Sequence, residues 1–222
     1  MDLNEALRTN PAVRDFTDEP VSDAELHDLL DVARFAPSGG NRQPWRVAVI
    51  HDRPLRRRLA ELCQPVWNEY VAQGAASETP FNAVVPTSVD LAAAREVRQQ
   101  NPLLDTIELA PVVLVVAADL ASVAMMDGAL DRPPITSGAS VYPFVHNVLL
   151  AARDRGLGGV MTTFLARAER EAAPLLGLPA GWAIASMVCL GHPVRRATKL
   201  RRNPVEAFTT VDRFDGPPFT SA

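Results

Sequence analysis

Residues 111–117 read Pro-Val-Val-Leu-Val-Val-Ala, an apolar and largely β-branched run with no polar interruption. A strand with one wet face alternates polar and apolar residues, whereas an unbroken run belongs to a strand covered on both faces. The chain therefore needs a sheet with this segment near its centre and apolar material above and below it.

Candidates for the covering layers lie on both sides of that run. Ser22-Asp23-Ala24-Glu25 is a capping box, followed at helical spacing by Leu26, Leu29, Leu30, Ala33 and Ala36, which predicts a helix ending at Pro37. Val141, Phe144, Val145, Val148, Leu149 and Ala152 predict a strongly apolar helix, closed by Gly156 in the place of a left-handed C-cap. Shorter helices are predicted around Leu3, Ala6 and Leu7, from Leu55 toward Trp67, and over 166–176. Trp45, Val47 and Val49 alternate with Arg46, Ala48 and Ile50 as in a strand, and residues 182–190 form another, stopped by Gly191-His192-Pro193. Between about 73 and 105 the pattern dissolves into small and polar residues broken by Pro80, Pro86 and Pro102, an irregular excursion with the character of a lid. Helices and strands mixed without regular βαβ alternation favour an α+β fold, and 222 residues suit one domain, 1–222.

Composition narrows the partners. With 47% hydrophobic and 22% charged residues the chain can bury a core, and a net charge of −4 argues against nucleic acid or an anionic membrane. The first residues lack the apolar core of a secretory signal and no apolar run approaches a bilayer span, which points to the cytoplasm. Cys63 and Cys189 lack redox spacing and read as buried structural thiols. His27, His51, His146 and His192 show no ligand spacing, so no metal site is expected.

Two segments are unusual enough to carry chemistry. Residues 36–45, Ala-Pro-Ser-Gly-Gly-Asn-Arg-Gln-Pro-Trp, join a helix end to a strand and offer backbone N–H groups, a hydroxyl and amides to a flat, hydrogen-bonding ligand, although turn chemistry alone uses the same residues. Residues 194–202, Val-Arg-Arg-Ala-Thr-Lys-Leu-Arg-Arg, reverse the charge of an otherwise acidic chain and open a C-terminal extension over 194–222. No phosphate-binding loop of the P-loop or GxGxxG kind is present.

The stretch Pro-Ser-Gly-Gly-Asn-Arg-Gln-Pro-Trp-Arg-Val resembles the P-S-x-x-N-x-Q-P-W motif of the nitroreductase superfamily. Ala12-Val13-Arg14-Asp15-Phe16 is similar to the family's N-terminal R-x-F element, Gly156-Leu157-Gly158-Gly159-Val160-Met161-Thr162-Thr163 to its glycine-containing turn, and Leu190-Gly191-His192-Pro193 with Arg202-Asn203-Pro204-Val205-Glu206 to its closing segment. Asn10-Pro11-Ala12 stand where many members have Arg-Arg-Ser, which leaves more of the phosphate grip to Arg14 and the C-terminal basic cluster.

The resemblance implies a nitroreductase-like fold, a mostly antiparallel central sheet flanked by helices, in an intertwined homodimer with FMN at the subunit interface. It implies that Arg14, Lys199 and Arg202 face the phosphate, that Ser38, Gly39 and Asn41 touch ring and ribityl chain, and that Val160, Met161, Thr162 and Thr163 lie beside the ring. For Lys199 and Arg201 a phosphate contact and plain solubility stay open. Gln43 and Trp45 brace the turn or face the core, and Trp67, Tyr70 and Phe81 are either stacking groups for substrate or packing residues. NADH or NADPH is the implied donor and a small aromatic acceptor, a nitro compound or quinone, is reduced in ping-pong fashion. No side chain is singled out as catalytic, because the cofactor performs the hard chemistry. Two other readings use the same residues: a flavin-storing protein without turnover, and a flavin-consuming enzyme of cofactor biosynthesis.

Overall fold

The computed structural model describes residues 1–196 and 199–220; Ala197 and Thr198 of the basic segment, and the last two residues of the C-terminal extension, lie outside the described residues. The described residues form a four-stranded antiparallel sheet in the order β1-β2-β4-β3, with β1 Trp45–Val49, β2 Val112–Asp119, β3 Gly158–Thr162 and β4 Trp182–Gly191. The α+β expectation holds, and the sheet is antiparallel throughout.

β2 is buried along its length except at Asp119 and lies between β1 and β4. Its alternate side chains feed two cores. Val112, Leu114, Val116 and Ala118 meet α2 (Asp23–Ala33) and α6 (Tyr142–Asp154) on one face, while Val113 and Val115 meet α3 (Arg53–Ala75) on the other. Trp45 stacks on Phe144 at 4.8 Å between ring centroids, so it serves as core.

The capping box of α2 forms as read: Ser22 Oγ accepts from Glu25 N at 3.2 Å and Ser22 N donates to Glu25 Oε2 at 2.9 Å. The helix stops at Ala33, short of Pro37. The residue before a proline disfavours helical backbone, and the chain leaves α2 through single-turn bonds from Phe35 and Ala36. α6 ends as expected, with Gly156 at φ +78° and Leu157 N bonded back to Ala152 O at 2.9 Å. The helix expected over 166–176 is two short ones, α7 Phe164–Arg167 and α8 Glu169–Leu176, the second ending at left-handed Gly177.

One correction concerns residues 156–163, where a turn was expected and the edge strand β3 is found. Glycine weakens a strand, but here close approach requires it. A Cβ on Gly158 would stand 2.6 Å from Val13 Cγ2. The N-terminal segment runs against β3 at that point: Ala12 bridges Gly159, and Val13 N donates to Gly159 O at 2.8 Å.

A second correction concerns α3, which runs through Pro65 to Ala75 instead of fading near Trp67. Its later turns bury polar residues, Asn68, Glu69 and Gln73, and these hold the excursion. Asn68 Nδ2 donates to Arg95 O at 2.7 Å, Asn68 Oδ1 accepts from Gln99 N at 2.8 Å, and Gln73 Oε1 accepts from Phe81 N at 3.1 Å. The excursion contains α4 (Leu91–Glu96) and α5 (Pro102–Asp105) and is stitched down along its length, so it forms a wall. Among the described residues no helix is long and apolar enough to cross a membrane.

Candidate active-site cleft

The local fold around β3 builds a cleft of about 530 Å³. Residues 12–17 lie along the sheet through bonds from Val13 N to Gly159 O and from Thr17 N to His192 O, each 2.8 Å, and this carries Arg14 to the cleft rim. The end of β3 and the start of α7 supply Met161, Thr162, Thr163 and Phe164. Trp67 and Tyr70 come from α3, and the end of the excursion closes the far side with Asn101, Pro102 and Leu103. Asn101 caps α5, its Oδ1 accepting from Leu103 N at 3.1 Å.

The aromatic side of the cleft is ordered. Trp67 and Tyr70 stack at 5.4 Å with planes 11° apart, and Phe164 meets both edge-on. Trp67 is further fixed by its Nε1, which donates to Gln100 O at 2.9 Å. Such walls suit a flat ring system. Phe81, the third aromatic residue singled out in the sequence, packs behind Tyr70 at 6.4 Å.

Two polar groups on this cleft lack protein partners. The Arg14 guanidinium is exposed, with no ion pair or hydrogen bond among the described residues. Thr162 is 9% exposed, and its Oγ1 finds no hydrogen-bond partner among the described residues. A buried hydroxyl without a partner is destabilising, and native proteins keep few of them. A ligand that accepts from Arg14 and bonds Thr162 would satisfy both.

Of the residues expected to act together, Arg14, Met161, Thr162 and Thr163 meet here; Val160 is buried in β3 behind them. Ser38, Gly39 and Asn41 do not join them in one chain. Their turn precedes β1, at the opposite edge of the sheet, three inter-strand spacings or roughly 14 Å away. The turn is well built: Ser38 Oγ accepts from Gln43 N at 3.0 Å and Ser140 Oγ from Gly39 N at 3.0 Å. Asn41 and Gln43 hold φ of +52° and +49°, a strained backbone of the kind that gathers at functional sites.

Lys199 and Arg202 are exposed on the C-terminal segment, where Arg202 Nη1 donates to Arg201 O at 2.7 Å. From the basic run, Arg196 reaches the β3 region, its Nη2 donating to Gly156 O at 3.0 Å. Arg196 lay within the basic run of 194–202 without being singled out, and no motif flagged Phe164 or Asn101. Phe164 follows Thr163 directly, the only signal that could have found it. Among the described residues no cluster of three or more His, Cys, Asp or Glu could hold a metal. Burial pushes the thiols of Cys63 and Cys189 up to about 12, as befits core residues.

The described residues thus define an α+β protein with an antiparallel sheet packed on both faces and, at one edge, an aromatic-walled cleft with Arg14 on its rim. The profile of the Nitroreductase family matches residues 8–192, and the chain belongs to that family. It is 31% identical to a 5,6-dimethylbenzimidazole synthase of Rhodospirillum rubrum, over 82% of this chain and 77% of that one. It is 27% identical to an NADH dehydrogenase of Thermus thermophilus, over 93% of this chain and 94% of the relative. The fold is also that of the NADPH:FMN oxidoreductase from Vibrio harveyi complexed with NAD+, with a TM-score of 0.66 and 19% identity over 96% of this chain and 77% of that one.

Proposed function

We propose that this protein is an FMN-dependent oxidoreductase that draws electrons from NADH or NADPH and reduces a small aromatic acceptor such as a nitro compound or quinone. One observation carries the reading: the Arg14 guanidinium, which has no partner among the described residues, stands on an aromatic-walled cleft that is also lined by Thr162, whose buried hydroxyl has no partner among them either. The donor set suits a molecule with an anionic end and a flat end bearing hydrogen-bonding edges, which describes FMN. The relatives' names, an NADH dehydrogenase and an NADPH:FMN oxidoreductase, support the same reading.

In this account Arg14 holds the phosphate, as arginine's planar fork favours. Thr162, Thr163 and the backbone at Val160 and Met161 bond and orient the ring edge. When bound, the flavin supplies hydride and electron transfer, and the protein contributes binding, orientation and electrostatics. Trp67, Tyr70 and Phe164 exclude water and stack a planar partner. The Ser38–Gly39–Asn41 turn stands on the other edge of the sheet, so a second copy of the chain brings its turn to this cleft. Function thus rests on a homodimer, with Lys199 and Arg202 as additional phosphate cations. The exposed Phe208, Phe214 and Phe219 of the C-terminal segment are apolar surface for that partner.

The test is a stopped-flow trace of the purified protein at the flavin absorbance. Bleaching on addition of NADH or NADPH, with colour restored by a quinone, is the expected result, and bound flavin that neither donor bleaches overturns the reading. A second reading, a flavin-consuming synthase, is favoured by the 31% identity to 5,6-dimethylbenzimidazole synthase. Mass spectrometry of the flavin recovered after reduction in air separates the two: intact FMN supports the reductase, and a fragmented ring system supports the synthase.

A further inference from the structure

Glu69 lies on α3 between two cleft residues, Trp67 and Tyr70, yet turns away from the cleft into the protein. It is 0% exposed. Both carboxylate oxygens are engaged by arginines from distant parts of the chain: Arg95 Nη1 donates to Oε1 at 2.6 Å, and Arg167 Nε donates to Oε2 at 3.0 Å. Arg95 sits on α4 of the excursion, and Arg167 ends α7, the helix that begins at the cleft residue Phe164. Arg167 also stands over the Phe81 ring at 4.7 Å, and Phe81 in turn packs on Tyr70. One buried carboxylate therefore ties together the three walls of the cleft: α3, the β3–α7 junction and the excursion.

An apolar contact tolerates sliding, whereas a buried carboxylate holding two guanidinium groups fixes direction and distance, since a misplaced partner leaves the charge unpaired. We propose that Glu69 is a positioning residue for acceptor selectivity: through Arg95 and Arg167 it sets the gap between the aromatic wall and the 101–103 rim, and so the size of ring system admitted. The proposal rests on the oxidoreductase reading for its acceptor, and on the geometry alone for the coupling of the walls. Neither Glu69 nor Arg95 lines the cleft.

The test compares wild type, Glu69→Gln and Arg95→Ala as flavin-loaded holoenzymes, with 1,4-benzoquinone and 1,4-naphthoquinone as one-ring and two-ring acceptors. Arg95→Ala leaves Glu69 paired with Arg167 and keeps the test open if Glu69→Gln folds poorly. Flavin content and the saturated rate of bleaching by NADH should stay near wild type. The ratio of kcat/KM for the two quinones should shift by about fivefold, mainly through KM, a size in keeping with coupling between contacting residues. In both variants hydrogen exchange should quicken in 91–105, and in Glu69→Gln in 161–167 as well. Unchanged selectivity in flavin-loaded, active variants overturns the selectivity role and leaves the oxidoreductase reading standing. Flavin-free wild type sinks that reading and the selectivity role with it, and exchange confined to one segment in Glu69→Gln overturns the coupling in either case.

Discussion

Val13 N donates to the carbonyl of Gly159 at 2.8 Å, and the Val13 side chain fills the space that a Cβ on Gly158 would occupy. Through that contact the N-terminal segment becomes a neighbour of edge strand β3, and Arg14 is delivered to the same cleft as Thr162 and Thr163. A cation near the start of the chain and hydroxyls far along it thus share one ligand-sized space because Gly158 permits close approach.

Gly158→Ala should separate these parts. The added methyl would lie 2.6 Å from Val13 Cγ2, and overpacking of this kind costs about 1–3 kcal/mol. Thermal melts should show that loss, and FMN titrations should show weaker binding, because Arg14 moves with Val13. A variant as stable and as tight as wild type would show that the approach is not needed.

The Glu69 cluster should respond asymmetrically to truncation. Arg95 and Arg167 side chains are 46% and 44% exposed and can reach water when the carboxylate is removed, whereas Glu69 cannot. The double variant Arg95→Ala/Arg167→Ala strands a buried charge and should lose about 3–5 kcal/mol. Glu69→Gln should cost clearly less in urea denaturation. The reverse order would contradict the burial assigned to Glu69.

Ser186 lies in β4, fully buried, and its Oγ has no hydrogen-bond partner among the described residues. Removing an unsatisfied hydroxyl recovers its desolvation cost, so Ser186→Ala should leave stability unchanged or raise it by about 1 kcal/mol. A clear fall in the melting temperature would reveal a partner for that hydroxyl.

Acid should loosen the excursion at Glu78. Glu78 accepts hydrogen bonds from the Ser88 hydroxyl, the Thr87 hydroxyl and Ser88 N, and these hold its pKa below the ordinary 4.5. A depressed carboxylate contributes its full stabilisation above that ordinary value and loses it as pH falls through the lowered one. Hydrogen exchange across 79–90 should therefore speed up, relative to the sheet, only below that range. Protection lost near neutral pH would assign the tether to another group.

Much of this was legible in the residues. The apolar, largely β-branched run of 112–116 pointed to the central strand because an unbroken apolar run suits a strand covered on both faces, and the Ser22–Glu25 box marked the start of α2 because its two bonds are local. Arg14 and the threonines stood out by resemblance. β3 did not, since Gly158 and Gly159 weaken strand propensity and the reason for them, Val13 and Leu190, lies elsewhere in the chain. The second half of α3 was hidden because a proline at 65 argues against a continuing helix and the inward face beyond it is polar, so apolar periodicity has nothing to report. Glu69 gave no signal because its partners lie 26 and 98 residues away. The Ser38 turn was recognisable as a motif, but its place on the far edge of the sheet follows from strand order, which local pattern does not encode.

The central claim is that Arg14 grips the phosphate of a flavin whose ring lies against residues 160–163. Titration of flavin-stripped protein with FMN, followed by quenching of flavin fluorescence, measures this directly in wild type and Arg14→Ala. Wild type should bind, and the variant, folded by circular dichroism, should bind roughly 10- to 100-fold more weakly, the loss of charge-assisted hydrogen bonds worth about 1.5–3 kcal/mol. Folded wild type that takes up no FMN, or a variant that binds as tightly, would contradict it.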